Sequence, residues 1–148
     1  MIGIWSPDAI EVVRFMNGFT LCVIGTTTPT GWPIGSTVAF SASEGLELMI
    51  GTSTASRKFA NIAHNPKVSV TLTDEDRRLT VQYQGLARQM SPDEYSARRG
   101  DHYGKLPESL PFEGQEGQVF FTITPIIVRA SDCDHNPWVV TELRFDPH

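Results

Sequence analysis

Read as apolar and polar positions, the chain changes period several times, and each change marks an element. Ser6-Pro7-Asp8 has the form of a helix start: a hydroxyl cap, a proline where no donor is lost, and an acid at the positive helix end. Ile10, Val12, Val13 and Met16 then recur at helical spacing as far as Asn17, and Gly18 stops the run. From Thr20 to Thr27 the residues are β-branched and apolar on both faces, which predicts a buried strand. After the Pro29-Thr30-Gly31 turn the pattern alternates: Ile34, Ser36, Val38 and Phe40 share one face, and Gly35, Thr37 and Ala39 make the other face small. A face without bulk lets a flat group approach the backbone. Ser43-Glu44-Gly45 then turns the chain into a strand from Leu46 to Ile50.

The stretch from Gly51 to Pro66 departs from this meander. It places Thr52, Ser53, Thr54 and Ser56 together, follows them with Arg57 and Lys58, and reads as a helix from about Ala55 with Phe59, Ile62 and Ala63 on its apolar face. Asn65-Pro66 ends it, because proline disfavours helical geometry in the residue before it. Hydroxyls, free N–H groups of a first helical turn and two adjacent cations together suit a phosphate.

Val68, Val70 and Leu72 predict the next strand, and Asp74 to Arg78 a solvated turn. Leu79, Val81 and Tyr83 open a long strand whose apolar phase switches to Leu86 and Met90 around Gly85, the mark of a bulge. Ser91, with Glu94 three residues on, opens a second capped helix expected to end at Gly100. Residues 101–117 read as a long loop rich in Gly and Pro, with His102 and Tyr103 at its surface. Val119, Phe121 and Ile123 begin a final long strand ending near Arg129, and residues 139–143 a short one. Six strands with three helices predict a mainly β protein, a small antiparallel barrel with peripheral helices, in one domain over residues 1–148.

Composition narrows the function classes. With a net charge of −5 and 12 scattered Lys and Arg residues, the chain has no basic face for nucleic acid. No apolar run approaches a membrane span, and residues 1–5 lack the basic start of a signal peptide, so the expected setting is cytoplasmic and off the membrane. Two cysteines, Cys22 and Cys133, are too few for a disulfide framework. Cys133-Asp134-His135 brings only three donor groups with no distant partner, short of a defined metal site.

Five segments together resemble the pyridoxamine 5′-phosphate oxidase-like FMN-binding split-barrel family. They are Thr20 to Thr26, the Gly31-Trp32-Pro33 turn, Gly51 to Ile62, Asn65 to Val70, and Gly85 to Arg88, in that family's order and spacing. The resemblance implies a six-stranded antiparallel Greek-key split barrel and a homodimer with FMN in clefts between the subunits. It places Thr52, Ser56, Arg57 and Lys58 at the phosphate, with Ser53 close by, and lays the flavin ring along Ile34 to Val38, with Ser36, Thr37 and Val38 as ring contacts. Where oxidases of this family carry a ring-contacting glutamine this chain has Thr80, and Gln82 on the same face is the substitute. The Arg and His pair with which those oxidases bind pyridoxal phosphate has no counterpart between Arg129 and His148. The resemblance therefore implies an FMN-dependent oxidoreductase acting on a small molecule or electron donor, and names neither. A deazaflavin-dependent reductase of the same barrel, or a flavin- or haem-binding carrier or sensor, are the alternatives. Trp138 is either a cover for the flavin edge of a partner subunit or an anchor for the tail.

Overall fold

A computed structural model describes residues 3–146. Its elements run α1 (Ala9–Asn17), β1 (Leu21–Thr27), β2 (Pro33–Ala39), β3 (Ser41–Ala42), β4 (Leu48–Ser53), α2 (Arg57–His64), β5 (Lys67–Asp74), β6 (Leu79–Gln89), α3 (Pro92–Lys105), a 3-10 helix (Pro107–Phe112), β7 (Gln118–Asp132) and β8 (Val139–Arg144). The strands form one antiparallel sheet in the order β2-β1-β5-β6-β7-β4-β3, with β8 paired to the second half of β7. The six long strands are those expected, β8 is the short strand expected at 139–143, and β3 extends the sheet. It curls into a half-barrel around Ile24, Phe40, Leu48, Ile50, Val70, Val81 and Ile123, all wholly buried.

Two devices curl it. The register of β6 on β7 shifts between Gln84 and Gly85, the predicted bulge. A Cβ at Gly85 would lie 2.6 Å from Ile123 Cγ2 and 2.8 Å from the Thr124 carbonyl oxygen, so only glycine lets the two strands approach this closely. Beside it the buried Tyr83 hydroxyl lies 2.7 Å from the Leu46 carbonyl oxygen and 3.0 Å from that of Ile123, sharing its one proton between β7 and the turn that enters its neighbour β4.

Several expectations are corrected. Asp8, not Ser6, caps α1: its carboxylate accepts from Glu11 N, and the Glu11 carboxylate accepts from Asp8 N. Ile10 lies outside the apolar stripe and is exposed, while Phe15 is buried with Val12, Val13 and Met16. β1 is buried on one face only: Cys22, Ile24 and Thr26 point inward, whereas Leu21 and Val23 are 53% and 44% exposed. α2 starts at Arg57 behind a Ser56 cap; Ala63 is exposed, and Asn61 is buried instead because its Nδ2 donates to Thr26 Oγ1 at 3.1 Å. Leu46 belongs to a turn with φ of 61°, and β4 begins at Leu48.

The largest correction concerns α3. It passes Gly100 without a break and reaches Lys105, and a 3-10 helix occupies 107–112, so the expected long loop shrinks to short connections. Glycine lowers helix stability by about 1 kcal/mol but does not end a helix whose far turn is packed. That turn is packed: His102, Tyr103 and Leu106 are 3%, 7% and 1% exposed, against the surface reading of the first two.

Candidate functional site

The C-terminal half of β2, the β4–α2 junction and α3 with its 3-10 helix surround a cavity of about 470 Å³. That volume lies in the roughly 300–1,000 Å³ range of ligand and cofactor sites. One wall is Thr37, Val38 and Ala39, the stretch with the small face. The second is Gly51, Thr52, Ser53 and Lys58. The third brings His102, Tyr103, Leu106, Ser109 and Phe112, and the start of β7 closes the space with Gln118 and Phe120.

Local chemistry explains the second wall. Ser56 Oγ accepts from Phe59 N at 3.1 Å and lies 2.9 Å from Thr52 Oγ1, so capping α2 also fixes the Thr52 side chain. Ser53 Oγ accepts from Ala55 N at 3.1 Å, and the Thr54 N–H donates to the Gly117 carbonyl at 2.8 Å, which ties the turn to the base of β7. A Cβ at Gly51 would stand 2.9 Å from the Phe120 ring, so the glycine lets that ring lie close against β4. Lys58 is the only cation in the described lining and Glu116 the only carboxylate. Lys58, Thr52 and Ser53 offer three polar groups to one anion.

Of the residues expected at the site, the structure gathers Thr37, Val38, Thr52, Ser53 and Lys58 into the cavity wall, with Ser56 behind them as cap. Arg57 points elsewhere, lining a depression with Thr28, Trp32 and Asn61, because successive helical residues diverge by about 100°. Ser36 lies in the β2 lattice opposite the buried Ile24, so its side chain and that of Thr37 face opposite sides of the sheet. Gln82 stands on the outer face of the sheet in one cross-strand row with Thr71, Val23 and Thr37. Three strand spacings, about 14 Å, separate Gln82 from Thr37.

The α3 wall was not foreseen as a helix; its His102 and Tyr103, which read as surface loop residues with substrate contact as the alternative, line the cavity. His102 Nδ1 lies 2.6 Å from Ser41 Oγ, and its ring stands edge-on to Tyr103 and Phe120 with centroids 5.4 and 5.8 Å away. Burial, and then the charges of Arg98 and Lys105, push the His102 imidazole down to about 4, so it is neutral at pH 7. The 3-10 helix is tied down by Glu113, whose carboxylate accepts two hydrogen bonds from Arg99, both 2.8 Å, and one from the Tyr95 hydroxyl. Arg99 first, then Tyr95, hold the Glu113 carboxyl down at about 2. The signal in the sequence was the run Tyr95, Arg99, His102, Tyr103, Leu106 at helical spacing, interrupted visually by Gly100.

Comparison with known proteins places the chain in a family and a fold. The sequence pattern of the family described as pyridoxamine 5′-phosphate oxidase matches residues 9–129. A pyridoxine/pyridoxamine 5′-phosphate oxidase of Porphyromonas gingivalis is 27% identical over 120 residues, covering 75% of this chain and 54% of its own; the chain thus spans about half the length of this curated relative. Three solved structures share the fold. A haem-binding protein of Mycobacterium smegmatis superposes with a TM-score of 0.73 at 20% identity, over 95% of this chain and 60% of its own. A pyridoxamine 5′-phosphate oxidase-related, FMN-binding protein of Nostoc punctiforme gives 0.62 at 15%, over 94% and 93%. An F420 reductase gives 0.67 at 21%, over 82% and 97%.

Proposed function

This chain belongs to the pyridoxamine 5′-phosphate oxidase family, and from that premise we propose that it is an FMN-binding oxidoreductase acting on a small molecule. One observation carries the reading: a single cavity joins the Thr52, Ser53 and Lys58 group to the small wall Thr37–Ala39. The first end suits a phosphate and the second a flat ring. A bound flavin supplies the redox chemistry, and the chain supplies binding, orientation and exclusion of water. Lys58 neutralises phosphate charge, Thr52 and Ser53 donate hydroxyl protons to it, and the α3 wall sets what fits beside the ring.

Pyridoxamine phosphate itself is not the substrate we propose. A second phosphate needs a second cation, and Lys58 is the only one in the described lining. We further propose a homodimer: Leu21 and Val23 are exposed on the outer sheet face, and Gln82 on that face reaches a flavin only across a subunit boundary. Among the described residues no helix is long and apolar enough to cross a membrane.

The test is titration of the purified protein with FMN, riboflavin and F420 in parallel, read by flavin absorbance and fluorescence. FMN should bind more tightly than riboflavin, which lacks the phosphate, and Lys58→Ala should reduce that preference about tenfold with folding intact. Failure to bind FMN refutes the reading. Tighter binding of F420 favours the second reading, a deazaflavin-dependent reductase, which the likeness to an F420 reductase structure supports.

A further inference from the structure

The α3 wall holds a polar group that the phosphate-holding segment does not explain. His102 is almost wholly enclosed, forms part of the cavity wall, and has Nδ1 on the hydroxyl of Ser41, itself 6% exposed. Ser41 belongs to β3, paired to Met49 of β4, so its position is fixed by the sheet. A serine hydroxyl has one proton to donate, and a buried one needs an acceptor. Among the described residues the imidazole is the only partner of Ser41 Oγ.

Were Nδ1 the protonated nitrogen, the Ser41 hydroxyl proton would have no acceptor among the described residues. The hydroxyl therefore donates to Nδ1, and the proton of the neutral ring sits on Nε2. Nε2 has no partner among the described residues and is not one of the enclosed unpartnered atoms, so it keeps some accessible surface on a residue that lines the cavity. An N–H donor held in this way, with no lone pair free for a metal, asks for an oxygen acceptor. The rest of the lining includes the small or flat Thr37, Ala39, Gly51 and Phe120 together with Gln115, Glu116 and Gln118, and Lys58 is the only cation in it.

We propose that His102, positioned by Ser41, is a fixed N–H donor that binds the carbonyl oxygen of a planar, uncharged conjugated ring in this cavity. Two sources share that chemistry: a ring carbonyl of the flavin, and a carbonyl of a second, quinone-type ligand. The flavin arm rests on the proposed function, and the quinone arm stands without it.

The experiment is long-range proton–nitrogen NMR of the imidazoles in the 15N-labelled full chain, which has four histidines, with the His102 signals assigned from a His102→Asn variant. FMN and 1,4-naphthoquinone are added separately and then together, and flavin absorbance reports FMN binding independently. The free protein should show the Nε2–H tautomer at His102, and ligand should move the Nε2 proton. Movement with FMN alone assigns the flavin carbonyl; movement only with the quinone assigns the second ligand. His102→Ala should weaken that ligand about fivefold, His102→Asn should restore most of the loss through its amide N–H, and Ser41→Ala should populate the other tautomer. An Nδ1–H tautomer in the free protein overturns the proposal. So does an Nε2 proton that neither ligand moves. A colourless protein whose Nε2 proton responds to the quinone would refute the flavin reading and leave this one standing.

Discussion

Replacing Lys105 by methionine should stabilise the protein at neutral pH, and by an amount that fades as pH rises. The Lys105 ammonium nitrogen is closed to solvent, has no hydrogen-bond partner among the described residues, and lies over the Phe40 ring 3.6 Å from its centroid. Burial pushes its pKa down from 10.5 to about 8, with the neighbouring Cys22 opposing. That distance corresponds to about 3 kcal/mol of cost for holding the charge, of which attraction to the Phe40 ring returns about 1 kcal/mol. Lys105→Met keeps the apolar stem and should gain about 2 kcal/mol at pH 7. Between about pH 8 and 10.5 the unfolded chain binds a proton at Lys105 that the folded chain has lost, so wild-type stability gains from rising pH. Cys22 acts oppositely: burial lifts its thiol from 9.0 to about 12, so it favours the unfolded state as pH climbs past 9. Up to pH 9.5 the folded thiol stays protonated with or without the Lys105 charge, so this contribution is nearly the same in both proteins. By pH 9.5 the gap should close by about 2 kcal/mol. Urea denaturation of both proteins at pH 7 and pH 9.5 measures it, and an equal gap at the two pH values would refute the reasoning.

Three further outcomes are expected. Ser56→Ala removes the acceptor for Phe59 N and the partner of Thr52 Oγ1; it should cost about 1 kcal/mol in denaturation and loosen FMN at the same time. Gly85→Ala drives a Cβ into Ile123 Cγ2 and the Thr124 carbonyl, and because one of these is backbone it should cost about 2–3 kcal/mol. Glu113→Gln removes the charge that Arg99 grips from two sides, so amides of residues 107–117 should exchange severalfold faster while those of β5 and β6 do not change. Since the Glu113 carboxyl is held down at about 2, the stabilisation from the wild-type latch should be complete above the ordinary carboxylate range, weaken below it, and be gone once pH has fallen through about 2.

What the sequence disclosed, it disclosed through local rules. Alternation located the strands, the apolar phase switch located the Gly85 bulge, and clustered hydroxyls before two cations located the cavity's second wall. Each of those signals lies within about a dozen consecutive residues. The failures have the opposite character. Gly100 read as a stop because glycine weakens helices, yet packing of His102 against β3 and β7, with Tyr103 buried beside it, carries α3 through it. Val23 and Leu21 read as core because they are apolar, but β1 has only one inner face. Arg57 and Lys58 read as a pair, and helix geometry sends them to different surfaces. Burial decided by a distant element leaves no mark in the residue's own neighbourhood.

That division also runs through the cavity and bears on specificity. The side chains of the wall from Gly51 to Lys58 are set by contacts no more than four residues apart, with backbone ties of Thr54 to Gly117 and of β4 to β7 behind them. The α3 wall depends on contacts spanning much longer stretches of chain, Ser41 with His102 and Tyr95 and Arg99 with Glu113. A local wall can be kept while the distant one is rebuilt without unfolding the barrel. The first wall suits one recurring group, a phosphate, and the second meets whatever lies beyond the ring. Changes that alter ligand choice should therefore concentrate between Tyr95 and Glu116, and changes that abolish cofactor binding between Gly51 and Lys58.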